Sequence, residues 1–541
     1  MSTQKLARKM WEYGSLRGLL ELRARELQDK AFLQFKGVTY TYAELDSLAN
    51  RAANGLLELG IQRGGKVAVM MRNCPEWLGV WFGCAKIGAI ICPVNVAFKG
   101  DGLAYQLRDS DSTVVIIDDA YVERLEPIKH ELGVPKAIAV RRTGAPFESR
   151  DEILELSRLL DAPAEPPPAI ELGPWDPASI LYTSGTTGPP KGCVLPHGQY
   201  LVAAEQMVWN CEYDKDSVVY TCLPLFHINA QNYTVLCVMA AGGTVVLDER
   251  FSASEFWQKL VECGATAFNY VGGIPLILWN QPESQAEKQH NARIAFGVPV
   301  PKDIWPRWEE RFRCRIVYAY GMTENALPTL FPLSATPAPE HLRGSGGKAS
   351  DSAEVAIVDE HDNPLGPGQI GEVVTRPKIP WSMMLEYYKM AEQTKDALGN
   401  CWFHTGDLGY IDEEGYFFFV DRKKDAIRRR GEMISSWQVE SVVGKFPGVE
   451  ECAAVAVPSE VGEDEILVAV VPKEGSIISP PEMIAFCEQR MAYFQVPRYV
   501  KIVSELPKTQ TQRVEKHRIR REGLTGECWD RQTSGWISTR R

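Results

Sequence analysis

The segment YTSGTTGPPKG, Tyr182–Gly192, decides how the rest of the sequence is interpreted. It combines glycines, which let a backbone approach a ligand closely, with hydroxyl donors and one cation, as a polyphosphate requires. These residues are Ser184, Gly185, Thr186, Thr187, Gly188 and Lys191. The spacing does not match the Walker A pattern G-x-x-x-x-G-K-[ST], and a plain Gly/Thr turn between two strands is the alternative. The segment alone leaves the two interpretations nearly equal.

Apolar strands alternate with amphipathic helices on both sides of this segment. Residues 45–59 place apolar side chains on one helical face, and the pattern stops at Gly60. A strand over Lys66–Met71, a helix from Pro75 and a strand over Ile90–Asn95 follow. Because parallel strands need crossover connections of this length, the pattern predicts an α/β fold with parallel sheets.

Further apolar runs extend this pattern into a large α/β lobe. They are Thr113–Asp118, Ser217–Cys222, Thr244–Leu247, Thr266–Val271 and Arg315–Tyr320. From Glu354 onward, closely spaced strands and turns predict an antiparallel subdomain that closes the lobe. After Asp421, a β/α/β set of about 115 residues predicts a small second domain. The Pro-rich stretch Asp161–Pro168 is expected to be a surface connector within the large lobe.

The composition is that of a globular protein, since 45% of the residues are hydrophobic and 24% are charged. The 59 basic and 70 acidic residues give a net charge of −11, which disfavours nucleic acid as a partner. Residues 1–10 lack an apolar stretch and Val235–Leu247 is short and interrupted, so we expect a cytoplasmic protein with no membrane partner. The 13 cysteines contain no C-x-x-C pair, which indicates reduced, mostly buried thiols.

Four more segments, together with Tyr182–Gly192, resemble the ordered motifs of the adenylate-forming superfamily of acyl-CoA synthetases, peptide-synthetase adenylation domains and luciferases. They are YAYGMTEN (Tyr318–Asn325), WFHTGDLG (Trp402–Gly409), VDRKKDAIRRRGEMIS (Val420–Ser435) and LPKTQTQRVEK (Leu506–Lys516). The resemblance runs from Val38 to Lys516. It implies a multi-layer nucleotide- and acyl-binding domain over residues 1–423 and a small, mobile α+β lid domain over residues 424–541.

The resemblance also implies which residues bind the phosphates of ATP. In the superfamily the first segment is the phosphate loop, which here comprises Thr183, Ser184, Gly185, Thr186, Thr187, Gly188 and Lys191. Glu324 carries the hard oxygen that Mg²⁺ prefers, and Thr186 would assist it. Thr323 would offer its hydroxyl to the α-phosphate. For Thr323 and Glu324, an ordinary turn at the end of a strand is the alternative.

The nucleoside part of AMP has its own implied residues. Tyr320, followed by Gly321, would cover one face of the adenine. Asp407 would accept both ribose hydroxyls, and Arg422 would reach the same ribose or a phosphate. An Asx-turn is the alternative for Asp407, because Asp often closes such a turn in a Gly-flanked segment.

The acyl and thiol sides are implied with less detail. His227 would line the passage between the acyl and thiol sites and would gate or position, without carrying a proton; a packed core histidine is the alternative. On the acyl side, Gly272, Gly273 and Gly297 are expected to leave space for a bulky acid, and Gly297 is also predicted to contact the nucleotide. No residue in these segments identifies the acid.

The run RKKDAIRRR, Arg422–Arg430, has six basic residues in nine, which is typical of a solvated face, and a targeting signal is a second alternative. Beside the Gly431 loop, which the superfamily places at the pantetheine channel, this run and Arg428 in particular would offer charge to the phosphates of coenzyme A. Lys424 matches the hinge about which the lid domain rotates.

One departure from the superfamily affects the chemistry. Its last motif ends in a Gly-Lys pair whose Lys bridges the acyl carboxylate and the α-phosphate during adenylation, but here Gln512 and Arg513 stand at those positions. A guanidinium is a wide planar fork, whereas an ammonium is a compact point charge, so the exchange is not conservative. We therefore expect impaired adenylation. A slow Arg513, or Lys508 or Lys516 in its place, is the alternative.

The expected activity is that of an acyl-CoA ligase that makes acyl-CoA and AMP from an acyl-adenylate and CoA. A separate adenylating enzyme would then supply the acyl-AMP. The alternatives are a complete ATP-dependent synthetase, a ligase that loads a carrier-protein thiol, a non-catalytic acyl- or nucleotide-binding protein, and a luciferase-like oxygenase. The TQRVEK ending resembles carnitine-type CoA ligases, and the chain also resembles an acyl-CoA ligase of the platensimycin diterpenoid pathway, although no residue identifies a terpenoid substrate.

Overall fold

The computed structural model of the chain describes most of its residues. These are 2–130, 137–144, 153–183, 190–298, 302, 304–423, 425, 427–429, 432–458, 464–491, 495–508, 514–525 and 527–535. For Val298, Arg428, Glu432, Met433 and Gln438 the backbone alone is described.

The first part of the chain alternates helices with strands, as the sequence predicts. Its elements are α1 (Thr3–Tyr13), α2 (Leu16–Leu27), β1 (Ala31–Phe35), β2 (Val38–Thr41), α3 (Tyr42–Glu58), β3 (Lys66–Met70), α4 (Pro75–Ile87), β4 (Ile90–Pro93), α5 (Gly100–Asp109), β5 (Val114–Asp118), β6 (Ala137–Arg141), β7 (Ile153–Glu155), α6 (Leu156–Leu160) and β8 (Pro177–Thr183). A reciprocal capping box of Thr41 and Glu44 starts α3, which satisfies two backbone donors of its first turn.

The second part continues the alternation. It contains β9 (Lys191–Pro196), α7 (His197–Asn210), β10 (Val218–Thr221), α8 (Ile228–Ala230), a π-helical turn (Gln231–Leu236), α9 (Cys237–Ala241), β11 (Thr244–Leu247), α10 (Phe256–Cys263), β12 (Ala267–Val271), α11 (Ile274–Trp279), α12 (Ala286–Gln289), β13 (Ile294–Val298), α13 (Trp305–Phe312) and β14 (Arg315–Tyr320). The strands predicted here from apolar runs are confirmed to within two residues.

The third part is rich in strands, as predicted from Glu354 onward. It contains β15 (Thr329–Phe331), β16 (Gly347–Ala349), β17 (Ala353–Val358), β18 (Gly371–Pro377), β19 (Glu386–Tyr387), α14 (Ala391–Ala397), β20 (Phe403–Ile411) and β21 (Tyr416–Arg422). Three short strands, β15, β16 and β19, have no counterpart among the predicted runs.

The last part forms the small α+β unit. It contains β22 (Ile427–Arg429), β23 (Glu432–Ile434), α15 (Ser436–Val443), β24 (Val449–Pro458), β25 (Asp464–Pro472), α16 (Pro480–Glu488), β26 (Tyr499–Ile502), α17 (Lys516–Glu522) and β27 (Trp529–Asp530). Strands β24 to β27 make one four-stranded sheet, and two apolar clusters pack within this unit. The predicted fold class is thus confirmed.

In the described part of the chain, the largest sheet has 13 strands in the order β17-β18-β20-β21-β16-β15-β14-β13-β12-β10-β11-β1-β2. Its strands run parallel from β11 to β14, and from β14 onward they pair antiparallel. The predicted antiparallel subdomain therefore does not form a separate layer: it continues the parallel sheet edge to edge through β14 and β15. This change of direction falls where Tyr320 ends β14.

A second sheet, of eight strands among the described residues, has the order β19-β9-β8-β4-β3-β5-β6-β7. Strands β3, β4, β5, β6 and β8 are parallel, and β8 and β9 form an antiparallel hairpin that flanks the predicted phosphate loop. The two-residue strand β19 adds to the edge of β9. This brings residue 387 beside the hairpin.

The Pro-rich connector Asp161–Pro168 lies against α3 and not between domains. Side-chain nitrogens of Asn50, Arg51 and Asn54 donate to its carbonyl oxygens at 2.8 to 3.1 Å. None of the helices in the described ranges is long and apolar enough to cross a membrane.

Candidate active site

Tyr320, Asp407 and Arg422 form one cluster at the point where the large sheet changes direction. The Tyr320 hydroxyl donates to Oδ2 of Asp407 at 2.7 Å, and Nε of Arg422 lies 2.8 Å from Oδ1. Asp407 and Arg422 face each other as register partners on β20 and β21. The sequence places these three residues in three separate motifs, and the sheet brings them together.

The Asp407 carboxylate is held in place from the main chain. The residue is 2% exposed, and its backbone nitrogen donates to Thr405 Oγ1 at 3.1 Å, while Thr405 donates to the Val373 carbonyl at 2.7 Å. Gly406 has φ of +67°, a conformation that favours glycine. The turn therefore holds the Asp407 carboxylate in a fixed position.

The electrostatics keep Tyr320 a donor. Burial raises the pKa of its phenol well above the ordinary value, and the charge of Asp407 adds to this effect. Each Asp407 oxygen thus faces one donor, the type of group that the hydroxyls of a ribose also present. The Arg422 side chain is 38% exposed, so the cluster is open on that side. The residues present fit a ribose.

An aromatic residue that the sequence analysis missed lies beside Tyr320. Tyr320 is 9% exposed and packs against Phe417, with ring centroids 4.7 Å apart. Phe419 is 43% exposed and lies stacked against Tyr320 at 6.4 Å with an interplanar angle of 30°. Phe419 therefore carries the accessible aromatic surface next to the buried Tyr320. Its position in the run GYFFFVD identified a strand but not which aromatic ring faces outward.

Thr323 and Glu324 lie in a turn that three contacts hold. Gln199 Nε2 donates to the Thr323 carbonyl at 2.8 Å, and the backbone nitrogen of Met384 donates to the Glu324 carbonyl at 2.8 Å. The Tyr387 hydroxyl donates to Glu324 Oε1 at 2.9 Å. The side chains of Thr323 and Glu324 are half-buried. The turn is thus held from α7 and from residues 384–387.

Gly321 begins that turn. A Cβ added there would lie 2.8 Å from the backbone nitrogen of Leu327, so the close chain return requires glycine.

The described ends of the phosphate-loop segment are Thr183 and Lys191, which pair across the β8–β9 hairpin. Nζ of Lys191 lies 4.5 Å from the ring centroid of Tyr387. Lys191 and Glu324 are therefore joined through one tyrosine. The predictions for Ser184, Gly185, Thr186, Thr187 and Gly188 fall outside the described residues.

The predicted Mg²⁺ site has one described carboxylate, that of Glu324. Among the residues that the structure describes, no group of three or more His, Cys, Asp or Glu side chains could hold a metal. Mg²⁺ is commonly bound through one or two carboxylates together with substrate phosphates and waters, and a half-buried Glu324 with one oxygen held by Tyr387 fits that kind of site. Thr186, the predicted second contact, lies outside the described ranges.

His227 is exposed, so the alternative of a packed core histidine is wrong. It follows Phe226, whose ring lies 4.7 Å from the imidazole, and it precedes α8 and the π-helical turn. π-Helical turns are rare and are frequent at functional sites. A lining role for His227 stays a prediction.

The space expected at Gly297 is already filled. A Cβ at this position would lie 2.1 Å from the Tyr270 carbonyl oxygen and 2.7 Å from Cδ2 of its ring. Gly297 is thus needed for close packing between β12 and β13. At Gly272, by contrast, no atom lies within 4 Å of an added Cβ, and at Gly273 the nearest is Ile277 at 3.9 Å. Contact of Gly297 with a nucleotide stays a prediction.

The basic run is not a continuous solvated face. Arg429 is 1% exposed, with one guanidinium nitrogen 2.7 Å from Glu465 and another donating to the Val496 carbonyl at 2.9 Å. Lys423 lies 2.7 Å from Glu372, and Arg422 contacts Asp407 as described. The expectation of a solvated face is therefore wrong at Arg429, because acidic residues distant in sequence pair with the run.

Other predictions for the lid cannot be compared with the structure. Lys424 and Gly431 lie outside the described residues, and for Arg428 the structure gives the backbone, opposite Met433 in the β22–β23 hairpin. Gln512 and Arg513 also lie outside. The described residues on either side pair with each other. Lys508 and Val514 form an antiparallel β-bridge, and the Glu515 nitrogen donates to the Pro507 carbonyl at 2.7 Å.

Both lysines that could replace Arg513 are engaged in ion pairs. Lys508 Nζ lies 2.5 Å from Glu451, and Lys516 Nζ lies 2.8 Å from Glu440 and 2.5 Å from Ser436 Oγ. Burial raises the pKa of Glu440, and Lys516 opposes that shift, so removal of Lys516 would leave a costly buried carboxylate. These contacts argue against either lysine acting in place of Arg513.

The comparisons with known proteins agree with this geometry. The family described as AMP-binding enzyme matches residues 20–388, and the AMP-binding enzyme C-terminal domain matches residues 438–513. This chain belongs to the AMP-binding enzyme family. Within it, a crotonobetaine/carnitine–CoA ligase of Escherichia coli O8 (strain IAI1) is 34% identical over 472 residues, 87% of this chain and 90% of that protein. This AMP-binding enzyme is accordingly an acid–thiol ligase of the adenylate-forming superfamily.

Solved structures support the same fold for this AMP-binding enzyme. ATP-bound MatB from Rhodopseudomonas palustris has a TM-score of 0.82 and 25% identity, and the match covers 93% of this chain and 98% of MatB. O-succinylbenzoate coenzyme A synthetase (MenE) from Bacillus subtilis, in complex with ATP and a magnesium ion, has a TM-score of 0.79 at 23% identity, covering 92% and 98% of the two chains.

Proposed function

We propose that this enzyme makes an acyl-CoA thioester and AMP from an acyl-adenylate and CoA, and that its own adenylation step is impaired. The observation that carries the proposal is the Tyr320–Asp407–Arg422 cluster beside the Glu324 turn. It presents an acceptor for a ribose at the end of β14, four residues before Glu324, and Tyr387 joins Glu324 to Lys191 of the second sheet, which would serve the phosphate side. The 34% identical relative is named as a CoA ligase, which supports CoA as the thiol.

The thioester step needs little acid–base chemistry from the protein. The CoA sulfur attacks the acyl carbonyl carbon, the C–S bond forms, and the bond from that carbon to the phosphate oxygen breaks. AMP leaves with the electron pair, and the thiol proton passes to solvent. The chain contributes by holding the AMP half: Asp407 fixes the ribose and Arg422 offers a cation. Mg²⁺, held by Glu324, would supply charge neutralisation for ATP in the adenylation step.

The impairment of adenylation rests on Arg513. At a tight bridging position between a carboxylate and the α-phosphate, a planar guanidinium cannot take the place of a compact ammonium without rearrangement. Lys508 and Lys516 are paired with Glu451 and Glu440, which supports Arg513 as the residue that has to act. A separate adenylating enzyme would then supply the acyl-AMP. A cytoplasmic location stays a prediction, and transfer to a carrier protein and a terpenoid substrate stay alternatives.

Two reactions test the proposal. Acid, ATP, Mg²⁺ and CoA should give little acyl-CoA, whereas synthetic acyl-AMP and CoA should react readily; mass spectrometry follows the product. The panel of acids starts with crotonobetaine, because the relative's name contains it. Loss of one preorganised charge partner commonly costs about 10²- to 10³-fold in rate, so Arg513→Lys should raise pyrophosphate release by a comparable factor.

Arg518→Lys provides the matched control. Arg518 is an exposed arginine of α17 that pairs with Glu515 at 3.1 Å, so this variant makes the same chemical exchange five positions away. It should leave both reactions unchanged. Robust ATP-dependent turnover by the wild type, or no gain on Arg513→Lys, would contradict the split reaction. Product from acyl-AMP and CoA without a carrier protein would exclude both the carrier-loading and the non-catalytic alternatives.

A further inference from the structure

Tyr387 lies between Glu324 and Lys191, two of the described residues that are predicted to face the phosphates. It is the second residue of β19, where it pairs in register with Cys193 of β9. Its hydroxyl donates to Glu324 Oε1 at 2.9 Å, and the Lys191 ammonium lies 4.5 Å from the centroid of its ring. Tyr387 is 5% exposed. One buried side chain thus contacts both a carboxylate and a cation.

In the contact between Tyr387 and Glu324, the phenol is the donor. Burial raises the pKa of the Tyr387 phenol, and the charge of Glu324 raises it further, so the phenol keeps its proton and donates. Burial likewise raises the pKa of the Cys193 thiol, with Glu324 adding to the shift, so the thiol next to this carboxylate also stays protonated. In this contact the Tyr387 hydroxyl is the donor and Glu324 Oε1 is the acceptor.

A glutamate side chain has three rotatable bonds, and an isolated half-buried carboxylate would occupy several rotamers. The bond to Tyr387 fixes Oε1 and with it the plane of the carboxylate. Hydrogen bonds of this kind to a metal-binding carboxylate commonly decide how strongly the metal is bound. The ring contributes separately, because a desolvated ring face attracts an ammonium group.

We propose that Tyr387 is a positioning residue for the phosphate side of the active site. Its hydroxyl orients Glu324 toward Mg²⁺, and its ring holds the Lys191 ammonium beside the same phosphates. This inference rests on the proposed function, because it takes ATP with Mg²⁺ as a ligand of this site. The proposed role concerns the contacts of Tyr387 with Glu324 and Lys191.

The test separates the hydroxyl from the ring. Calorimetric titration with ATP at increasing Mg²⁺ concentration gives the Mg²⁺ concentration for half-maximal ATP binding. Tyr387→Phe should raise that concentration about 10- to 100-fold, the factor that corresponds to one hydrogen bond to a charged group. Tyr387→Leu, which also removes the ring, should in addition weaken ATP binding at saturating Mg²⁺.

Tyr388→Phe is the matched control. Tyr388 is the next residue, and its hydroxyl also donates to a carboxylate, Asp111 Oδ2 at 2.8 Å, on the opposite side of the strand. This variant should keep the Mg²⁺ dependence of the wild type. In a Glu324→Gln background, Tyr387→Phe should cause no further change, because the charged acceptor is already absent.

AMP binding without Mg²⁺ distinguishes the failure of this inference from the failure of the proposed function. Tyr387→Phe and Tyr388→Phe, which both keep the ring, should bind AMP as the wild type does, which also verifies that they fold. An unchanged Mg²⁺ dependence in Tyr387→Phe, or an equal shift in Tyr388→Phe, would overturn the positioning role while leaving the proposed function intact. No AMP binding by the wild type would overturn the proposed function itself.

Discussion

A hydrogen bond of 2.7 Å joins the Tyr320 hydroxyl to Asp407, although the two residues are 87 positions apart in the sequence. Arg422 occupies the other carboxylate oxygen at 2.8 Å. A bound ribose would have to replace at least one of these two contacts of Asp407 with a hydrogen bond from its own hydroxyls. The energetic roles of Asp407 and Tyr320 in nucleotide binding should therefore differ.

Asp407→Ala should weaken AMP binding about 10- to 100-fold, because a hydrogen bond to a charged group typically contributes about 1.5–3 kcal/mol. CoA binding should change much less. Isothermal titration with each ligand measures both effects. Equal loss of AMP and CoA binding would point to unfolding and would contradict the ribose role.

Tyr320→Phe should change AMP affinity by about threefold or less, since a ribose hydroxyl can take the place of the lost phenol at Asp407 and the ring is kept. The same titration measures it. A loss as large as that of Asp407→Ala would show that the Tyr320 hydroxyl itself contacts the nucleotide.

Gly431→Trp should block thioester formation from acyl-AMP and CoA while leaving AMP binding nearly intact. A bulky side chain in a loop beside a narrow channel would obstruct the pantetheine arm, whereas glycine has no Cβ. Product formation under single-turnover conditions measures the effect. Normal turnover in this variant would contradict the channel assignment.

The buried His197 is expected to lower the free energy of unfolding in mild acid. It is fully buried at the start of α7, where Nδ1 accepts from the Leu16 nitrogen at 3.3 Å, and burial lowers its pKa to about 4, with Asp176 opposing the shift. Below pH 6.5 the imidazole binds a proton in the unfolded chain but stays neutral in the folded chain. The free energy of unfolding therefore falls as the pH drops from 6.5 toward 4. The loss is roughly 3 kcal/mol at most.

His197→Asn keeps an acceptor for Leu16 but does not titrate in this range. Melting temperatures of both proteins at pH 7.5 and pH 5 measure the difference. The wild type should lose more on acidification than the variant. Parallel pH profiles would contradict the role of His197.

Asp421 caps the first helix of the small unit. Its Oδ2 accepts from the Ser436 nitrogen and from Ser436 Oγ, each at 2.6 Å, and the residue is 6% exposed. Asp421→Ala should destabilise the start of α15 by about 1 kcal/mol and so speed amide exchange over Ser436–Val443 about fivefold.

Asp412→Ala is the control for this experiment. Asp412 also accepts backbone bonds, from Glu414 at 3.0 Å and Tyr416 at 2.8 Å, but in the β20–β21 turn. It should leave exchange in α15 unchanged. Equal protection of α15 in Asp421→Ala and the wild type would refute the cap.

The strands and helices could be predicted because each carries its own periodic pattern. The strand Lys66–Met70 and the helix from Pro75 are legible from local residues alone. Strand β19 is not, because two residues carry no period and its partner β9 is almost 200 positions earlier. Tyr387 was missed for that reason, even though it contacts two residues that the motifs identified.

The second limit on prediction from sequence was the surroundings of a residue in the folded chain. Arg429 stands in a basic run that is typical of a solvated surface, yet Glu465 and Val496 enclose it from two later segments. Gly297 was expected to leave room for a ligand, but Tyr270 fills that room from the neighbouring strand. In both cases the deciding partner is distant in sequence, and no local pattern reveals it.

The cysteines bear on how such an enzyme avoids modifying itself. All 13 are among the described residues, nine are buried and Cys401 is exposed. Burial raises the pKa of Cys222, for example, to about 12, with Asp248 adding to the shift, and a protonated thiol is a poor nucleophile. An activated acyl group on bound AMP would thus meet few competing protein thiolates. Burial of most thiols thus limits self-acylation by a reactive acyl group, and Cys401 is the one exposed cysteine among the described residues.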